Sequence, residues 1–477
     1  MNDLAGNYLA RNYLAVDIGA ESGRVMHGNL ADGRLRLEEL HRFANQPVQL
    51  PGGLYWDSFR LFHEMVEGLT VAGRERKLRV DGIGIDTWGL DFGLLGADGG
   101  LIDCPRHYRD ARTNGVMELL FRAVPREEVF EQTGIQFMQI NSLYHLYATR
   151  LQNSCALECA KRLLFMPDLL NFWLTGVERA EVTIASTSQF YNPQERAFCG
   201  AMLERLGIPA RILPELIEPG RLLGHLLPRI AARTGLGAAP VYASAGHDTA
   251  SAVVAAPGVG DDWCYVSSGT WSLMGVELPA PVIDARALEL NYTNEAGVAG
   301  RTRLLKNIAG LWILQECRRC WAEAGERHTY EELAQMAEES GPAKALIDPD
   351  DFLQPADMPA RIVEWLRARG LPEPKGKGET CRIILESLAE RYRQVLEGLE
   401  RLTGRRIRSI HIVGGGSKHA LLNRLAARAT GRTVYAGPVE ATAAGNVLVQ
   451  AMGAGAVRDL EEARAVVRRS FEIEKFE

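Results

Sequence analysis

The sequence predicts an α/β protein made of two related domains that face each other across a cleft. A strand followed by a small-residue turn occurs at residues 16–22 and again at 266–272, in the shared pattern Val-x-x-Gly-[Ala/Thr]-x-Ser. A second pair of strand-then-glycine segments, at residues 83–89 and 410–416, supports a duplication. The chain has 477 residues, whereas single hydrophobic cores stop growing at about 250 to 300 residues. Two similar domains are therefore expected.

Strands and hairpins open each predicted half, and helices follow them. Asp32-Gly33 and Asp98-Gly99 are typical two-residue hairpin turns between apolar strands. The pattern then predicts helices within residues 114–172 and, in the second half, over 308–322, 330–339, 360–369 and 381–402. We place the boundary near residues 256–260, which gives an N-terminal domain of 8–256 and a C-terminal domain of 257–477.

Composition limits the classes of partner. The net charge of −6 argues against binding to nucleic acid or to an anionic membrane surface. No apolar run approaches the roughly 20 residues that a membrane-spanning helix needs. The first residues lack the basic and apolar regions typical of a secretory signal. We therefore expect a cytoplasmic monomer or homodimer whose partners are small molecules.

Glycine-bearing strand ends predict a phosphate or nucleotide site. They occur at residues 19–23, at Gly269-Thr270 and at residues 414–416. Neither the P-loop pattern nor a G-x-G-x-x-G segment after a strand is present, which disfavours those two nucleotide-binding classes. Ser417 is the predicted N-cap of the next helix, whose first backbone N–H groups would favour a phosphate. Asp17 ends an apolar strand, and a buried carboxylate is expected to have a cation beside it.

Residues 243–251 predict a catalytic carboxylate. They place His247 and Asp248 among small residues at a tight turn into a helix. Asp248 would accept a proton from a substrate hydroxyl, and His247 would orient that hydroxyl. A solvated or purely structural His-Asp pair is the common alternative, and the motif alone leaves it open.

Several segments together resemble the FGGY carbohydrate kinases, which have the actin-like ATPase fold. The matching segments span almost the whole chain in family order: residues 16–24, 84–92, 108–113, 246–253, 266–272, 307–315 and 413–417. The resemblance implies two duplicated actin-like ATPase (ribonuclease H-like) domains. It also implies transfer of the γ-phosphoryl group of ATP, with Mg²⁺, to a sugar hydroxyl. The Asp-Thr-Trp-Gly and His-Asp-Thr segments are typical of a branch that phosphorylates L-rhamnulose at O1.

The resemblance assigns roles to individual residues. Asp248 would be the catalytic base, and the sugar would contact Gly89, His247, Asp248, Thr249 and Asn307. The residues expected to hold the nucleotide and its phosphates are Ala20, Glu21, Ser22, Gly23, Arg24, Thr270, Gln315, Gly414, Gly415 and Gly416. Asp17 would bind the metal. Glu21 departs from the family pattern, which has a small hydroxyl residue there, so it either points away from the γ-phosphate or binds metal.

The sequence leaves two other hypotheses about the function open. One is a kinase for a related ketose or polyol, such as L-fuculose, L-xylulose or glycerol. The other is a non-catalytic nucleotide-binding protein of the actin-like fold, which would be expected to lack the catalytic carboxylate. Trp88 and Phe92 either pack against a 6-deoxy methyl group of the sugar or belong to the core.

Overall fold

The computed structural model describes residues 10–152, 154–354 and 356–477, which form two compact units. Unit 1 contains the chain up to Ala255, together with Glu277–Leu304 and Ala441–Ser470. Unit 2 contains Ala256–Val276, Leu305–Glu440 and Phe471–Glu477. The predicted start of the first domain at residue 8 lies outside the described residues.

The strands follow in chain order. They are β1 Arg11–Ile18, β2 Ser22–Ala31, β3 Arg34–Ala44, β4 Pro47–Leu50, β5 Gly53–Trp56, β6 Gly82–Thr87, β7 Phe92–Leu95, β8 Arg162–Phe165, β9 Arg179–Glu181, β10 Tyr191–Asn192, β11 Ala197–Phe198, β12 Glu215–Ile217, β13 Leu222–His225, β14 Pro240–Tyr242, β15 Trp263–Ser268, β16 Ser272–Leu278, β17 Thr293–Ala296, β18 Thr302–Ile308, β19 Ser409–Val413, β20 Thr433–Ala436 and β21 Glu474–Phe476.

The α-helices lie mostly between or after these strands. They are α1 Ser58–Thr70, α2 Val116–Ala123, α3 Arg126–Thr133, α4 Ser142–Leu151, α5 Ala156–Cys159, α6 Met166–Thr175, α7 Val182–Ala185, α8 Gly200–Arg205, α9 Pro228–Thr234, α10 Asp248–Val254, α11 Ala285–Glu289, α12 Trp312–Glu323, α13 Tyr330–Glu339, α14 Met358–Arg367, α15 Lys377–Thr403, α16 Ala420–Thr430, α17 Ala441–Gly453 and α18 Leu460–Ser470.

The main sheet of unit 1 has the order β13-β14-β6-β1-β2-β3. Strand β1 pairs antiparallel with β2 and parallel with β6. Its last six residues are all buried, as is typical of a central strand covered on both faces. Asp32 and Gly33 both have positive φ, 51° and 66°, so the predicted tight turn between β2 and β3 is confirmed.

The second sheet has the order β17-β18-β16-β15-β19-β20-β21. Strand β15 pairs antiparallel with β16 and parallel with β19. This repeats the local pattern of β1 with β2 and β6, so the duplicated α/β architecture is confirmed. Strands β16 and β18 each contain a point at which the chain passes from one unit to the other.

Some local predictions differ from the structure. Residues 162–165, predicted within a helical stretch, form β8 and pair with β7. Four consecutive residues of largely apolar character fit either a strand or a buried helix, and the partner strand decides between them. The predicted two-residue turn at Asp98-Gly99 is part of a longer reversal over Gly96–Gly100. This reversal is closed by a hydrogen bond from Gly96 N–H to the Gly100 carbonyl. Helix α13 has the predicted bounds, whereas α15 begins at Lys377, four residues before the predicted start.

Within the described residues, the helices are all too short or too polar to cross a membrane.

Candidate active site

Asp17 lies one residue before the end of β1, beside a carboxylate and a guanidinium. It is in register with Asp86 of β6 and with Arg24 of β2. Arg24 Nη2 donates to Asp17 Oδ2 at 2.6 Å. The cationic partner that burial of Asp17 called for is therefore Arg24, one of the residues expected to hold phosphate.

The turn between β1 and β2 carries the other predicted phosphate residues. Gly19 N–H donates to the Ser22 carbonyl at 2.9 Å, and Asn45 binds the turn through its side-chain donor to the Gly19 carbonyl and its N–H to the Glu21 carbonyl. Glu21 is exposed. A Cβ at Gly23 would lie 2.2 Å from the Phe43 ring, so any side chain at this position would displace that ring. No sequence pattern had pointed to Asn45.

Asp86 is a fully buried carboxylate that sequence reasoning did not place in the site. Asn446 of α17 donates to Asp86 Oδ2 at 2.5 Å, while Oδ1 has no hydrogen-bond partner among the described residues. Burial, and next the negative charge of Asp17, hold the pKa of Asp86 well above its usual range.

These carboxylates fit a magnesium ion that arrives with a nucleotide. No group of three or more His, Cys, Asp or Glu side chains in the described residues forms a metal cluster. Mg²⁺ usually takes only one or two carboxylates and fills its other positions with water and substrate phosphates. Asp17 and the unpartnered Oδ1 of Asp86 supply that donor set, and a divalent cation would relieve the repulsion between them.

His247 and Asp248 lie where the chain enters α10, as the sequence predicted. Thr87, at the end of β6, forms a parallel bridge with His247, and its N–H donates to the Gly246 carbonyl at 2.9 Å. Asp248 is the first residue of α10, and its Oδ1 is 3.5 Å from His247 Nε2. Thr249 Oγ1 donates to the same Oδ1 at 3.1 Å. The Asp248 side chain is 30% exposed, whereas that of His247 is 8% exposed.

Gly89 lies beside this pair. A Cβ at Gly89 would be 3.4 Å from His247 Nε2, so the absent side chain leaves space next to the ring. The next residue, Leu90, has a φ of +82°, which is strained for a side-chain-bearing residue. Leu90 N–H donates to Thr187 Oγ1, and Ser142 Oγ donates to the Leu90 carbonyl. These contacts hold the Gly89 segment in place.

Glu181 holds the turn at Gly246 and His247 that leads into α10. Its Oε2 accepts from Gly246 N–H at 2.9 Å, and the carboxylate also caps α7 by accepting from Thr183 and Ile184 N–H groups. Thr183 Oγ1 accepts from His247 N–H at 3.2 Å. Burial raises the pKa of Glu181 to about 7, against the opposing effect of these hydrogen bonds.

A buried ion pair, also missed from the sequence, surrounds the far side of the His247 ring. Arg303 Nη2 lies 3.2 Å from His247 Nδ1 and 3.1 Å from Glu295 Oε2. Glu295 Oε2 is 3.3 Å from the same Nδ1. Burial, the largest single influence, would raise the pKa of Glu295, but the Arg303 guanidinium and the His247 ring together hold that pKa below its usual range.

The aromatic residues near Gly89 belong to the core. Trp88 and Phe92 are both buried, and the Trp88 and Trp56 rings lie 4.2 Å apart. Both indole Nε1 groups donate to Asp91 Oδ2, at 2.7 Å from Trp88 and 2.5 Å from Trp56. Trp88 and Phe92 therefore lie in the core, which agrees with the packing role among the two alternatives given above.

Asp91 predicts a measurable pH dependence of stability. Burial raises its pKa from 3.8 to about 7, so between these values the folded protein holds a proton that the unfolded chain has released. This group therefore stabilises the fold fully below about pH 4, and its contribution is lost as pH rises to about 7. We expect Asp91→Asn to gain stability relative to the parent from pH 5 to pH 8, by on the order of 1 kcal/mol per pH unit below pH 7. Urea unfolding of both proteins across this range measures the difference, and a constant difference would contradict a raised pKa.

In unit 2, the turn between β15 and β16 packs against the start of α12. Leu311 N–H donates to the Gly269 carbonyl, and Trp312 N–H donates to the Thr270 carbonyl at 3.0 Å. Gln315 follows within the first turn of α12, and its Oε1 is buried without a hydrogen-bond partner among the described residues. Unit 2 thus brings Thr270 and the Gln315 helix together. Asn307 lies on the adjoining strand β18.

Two of the three glycines after β19, Gly414 and Gly416, lie against Ser268 at the start of this turn. A Cβ at Gly416 would be 2.0 Å from Ser268 Oγ, and Gly414 has a φ of +84°.

The prediction that Ser417 caps the next helix was wrong. Residues Gly415–Lys418 form a 3-10 turn in which Ser417 Oγ donates to the Gly414 carbonyl. The α16 helix begins only at Ala420, and His419 Nδ1 accepts from Leu422 N–H as its cap.

The duplicated α/β architecture, with a carboxylate at the start of a helix and glycine turns after its strands, fits the two-domain sugar kinase that the sequence predicts. The chain matches the N-terminal domain of the FGGY family of carbohydrate kinases over residues 12–255. It matches the C-terminal domain of that family over residues 264–454. The chain therefore belongs to the FGGY family, and it is a carbohydrate kinase that uses ATP.

Relatives at higher identity carry one particular name. The rhamnulokinase of Bacteroides thetaiotaomicron is 45% identical over 98% of this chain and 96% of its own length. The rhamnulokinase of Enterococcus faecalis is 40% identical over 98% of this chain and 94% of its length. The rhamnulokinase of Bacillus subtilis is 38% identical over 97% of this chain and 95% of its own length.

Solved structures confirm the fold. The gluconate kinase of Lactobacillus acidophilus superimposes with a TM-score of 0.81 at 16% identity, covering 96% of this chain and 92% of that one. The ligand-bound xylulose kinase of the same organism gives 0.80 at 15%, with the same coverage. The Plasmodium falciparum glycerol kinase with ADP gives 0.77 at 14%, over 98% of this chain and 94% of that one. The actin-like prediction is thus confirmed at the level of fold.

Proposed function

We propose that the protein phosphorylates L-rhamnulose at O1 with ATP, giving L-rhamnulose 1-phosphate and ADP in L-rhamnose catabolism. One observation carries the proposal. Asp248 keeps a partly exposed carboxylate 3.5 Å from His247 Nε2, and Gly89 lies beside the same ring nitrogen, in a chain 38–45% identical to rhamnulokinases. A non-catalytic nucleotide-binding protein would not need this carboxylate.

Asp248 is the proposed base for the sugar hydroxyl. Its surroundings raise its pKa, chiefly by desolvation, while the neighbouring His247 acts in the opposite direction. A carboxylate with a raised pKa is a better proton acceptor than a free one near neutral pH. Thr249 donates a hydrogen bond that holds Asp248 Oδ1, and Gly89, which presents only backbone beside His247 Nε2, is proposed as a sugar contact. Asn307 is proposed as a further sugar contact.

The nucleotide is assigned to two groups of residues. We propose that the C-terminal domain, residues 257–477, binds ATP through Thr270, Gln315 and the glycines at 414–416. The N-terminal domain, residues 8–256, then receives the phosphates at residues 20–24. Gln315 Oε1 is buried and has no hydrogen-bond partner in the part of the chain that the structure describes. This supports the assignment, because such an acceptor is expected to gain a donor from a ligand.

Asp17 and Asp86 are the proposed carboxylates for Mg²⁺. When bound, the ion would neutralise charge on the transferred phosphoryl group. Transfer of this kind passes through a loose transition state, so positioning of the two oxygens supplies most of the rate. Asp248 would hold the hydroxyl in line and take its proton late in the step. We propose that the enzyme acts in the cytoplasm, where ATP is available, as a monomer or homodimer.

A kinase for another ketose or a polyol is the second candidate. The solved xylulose and glycerol kinases share the fold at 14–15% identity, which carries no argument about the substrate. The higher identity to rhamnulokinases favours L-rhamnulose over L-xylulose, L-fuculose and glycerol.

A panel of ketoses tests the choice of sugar. Buried polar groups that read hydroxyl configuration reject wrong epimers strongly, whereas a methyl contact contributes only about 1 to 3 kcal/mol. We expect kcat/KM to be highest for L-rhamnulose and to fall less for L-fructose, which differs only by a 6-hydroxyl, than for the epimer L-fuculose. The measurement is kcat/KM for L-rhamnulose, L-fructose, L-fuculose and L-xylulose under one set of conditions. A higher value for L-fuculose would overturn the assignment.

A further inference from the structure

The ion pair of Arg303 and Glu295 contacts His247 at Nδ1, the ring nitrogen that is not the one beside Asp248. Arg303 is fully buried on β18, and Glu295 is almost fully buried on β17. Arg303 Nε donates to the Ala296 carbonyl at 3.0 Å, which fixes the guanidinium plane. Its Nη2 then points at His247 Nδ1 from 3.2 Å. All of these groups lie in unit 1.

This geometry favours one of the two neutral tautomers of the His247 ring. A guanidinium can only donate hydrogen bonds, so a ring nitrogen facing Arg303 Nη2 must present its lone pair. Glu295 Oε2 also lies near Nδ1, at 3.3 Å, but among the described residues this contact does not have hydrogen-bond geometry, whereas the contact of Arg303 Nη2 with Nδ1 does. In a neutral imidazole the proton is then on Nε2, the nitrogen on the side of Asp248.

We propose that Arg303, charge-balanced by Glu295, is a positioning residue that holds His247 as an Nε2–H donor toward the reacting sugar hydroxyl. A hydroxyl oxygen that accepts from His247 Nε2–H directs its own proton elsewhere, and the Asp248 carboxylate is 3.5 Å from that nitrogen. Arg303 thereby sets the direction of proton transfer without touching the substrate. The inference rests on the proposed function, since it concerns the same hydroxyl.

The tautomer is measured directly on the unmodified protein. The chain has ten histidines, so selective ¹⁵N-histidine labelling gives a resolvable set of ring signals, and His247→Gln identifies the one that belongs to His247. At pH 8 a free imidazole is neutral. We expect the ¹⁵N shifts of His247 to show a protonated Nε2 and an unprotonated Nδ1. The reverse pattern would overturn the proposal, whatever the variants below do.

A double-mutant cycle measures the effect on catalysis. We expect Arg303→Met to lower kcat/KM for the ketose by about 10- to 100-fold, the range for a lost hydrogen bond to a charged group, with KM for ATP unchanged. In a His247→Gln background, whose amide also presents a donor, the same substitution should change kcat/KM less than threefold. A merely structural Arg303 would lower activity by the same factor in both backgrounds, and this result would contradict the proposal.

Two further variants distinguish loss of the Arg303 contact from a general loss of folding. Removing one partner leaves a buried charge, so the neutral pair Arg303→Met with Glu295→Gln is made where Arg303→Met alone does not fold. Glu277→Gln is the matched control, because Glu277 forms a similarly buried pair with Arg464 in unit 1 without contacting His247. This control should keep the parent kcat/KM.

The outcomes separate this inference from the proposed function. A parent protein that phosphorylates none of the ketoses contradicts the proposed function, while the NMR result still decides the tautomer. An active parent with an additive cycle or an Nδ1–H tautomer contradicts only the role of Arg303.

Discussion

Asp248→Asn is expected to lower kcat by about 100-fold or more while leaving the fold and the KM for ATP nearly unchanged, the effect of removing a general base. Asparagine has the same shape and can still hydrogen-bond Thr249, but it cannot accept the proton of the sugar hydroxyl. The carboxylate has a raised pKa and a partly exposed side chain, which suit it to take that proton. A coupled assay for ADP with saturating ketose measures the loss.

Asp284→Asn is the matched control for that change. Asp284 is also an aspartate at a helix start in unit 1, where its Oδ1 accepts from Ala287 N–H as the cap of α11. Asparagine caps a helix about as well as aspartate, so kcat should stay at the parent value. Turnover by Asp248→Asn within a few-fold of the parent would rule out Asp248 as the base. Asp17 or Asp86 would then be the next carboxylate to substitute.

Local patterns predicted the parts of the site that are contiguous in sequence. The repeated strand-and-glycine segments indicated the duplicated hairpins, and the small residues around His247 indicated the turn into α10. These patterns work because a tight turn or a close backbone approach restricts residue type at a fixed spacing. The site roles of the residues they picked out remain proposals.

The residues missed by sequence reasoning reach the site from distant segments. Asn446 pairs with Asp86 across 360 positions, and Arg303 pairs with His247 across 56. Nothing in the local period of α17 or β18 marks these side chains, since a buried Asn or Arg is recognisable only by its partner. Ser417 shows the opposite error, because it looked like a helix cap but lies in a 3-10 turn ahead of the helix.

Packing between α10 and α17 gives the last prediction. A Cβ at Gly445 of α17 would lie 1.7 Å from the Ser251 carbonyl oxygen of α10, and both residues are buried in unit 1. Alanine is the better helix former by about 1 kcal/mol, which alone would favour Gly445→Ala. A clash with backbone cannot be relieved by a side-chain rotation, however, and overpacking of a core costs about 1 to 3 kcal/mol or more. The clash should therefore outweigh the helix propensity.

We expect Gly445→Ala to lower Tm measurably and to lower kcat as well, because any displacement of α10 moves Asp248 at its first position. Gly376→Ala is the control, since a Cβ there meets no atom within 4 Å and the backbone is extended. That variant should unfold at the parent temperature. Thermal unfolding and the coupled assay on the three proteins measure both effects. A Gly445→Ala protein as stable as the parent would mean that the helices can separate freely, and the carboxylate of Asp248 would then be held by β6 and Glu181 rather than by the packing of α10.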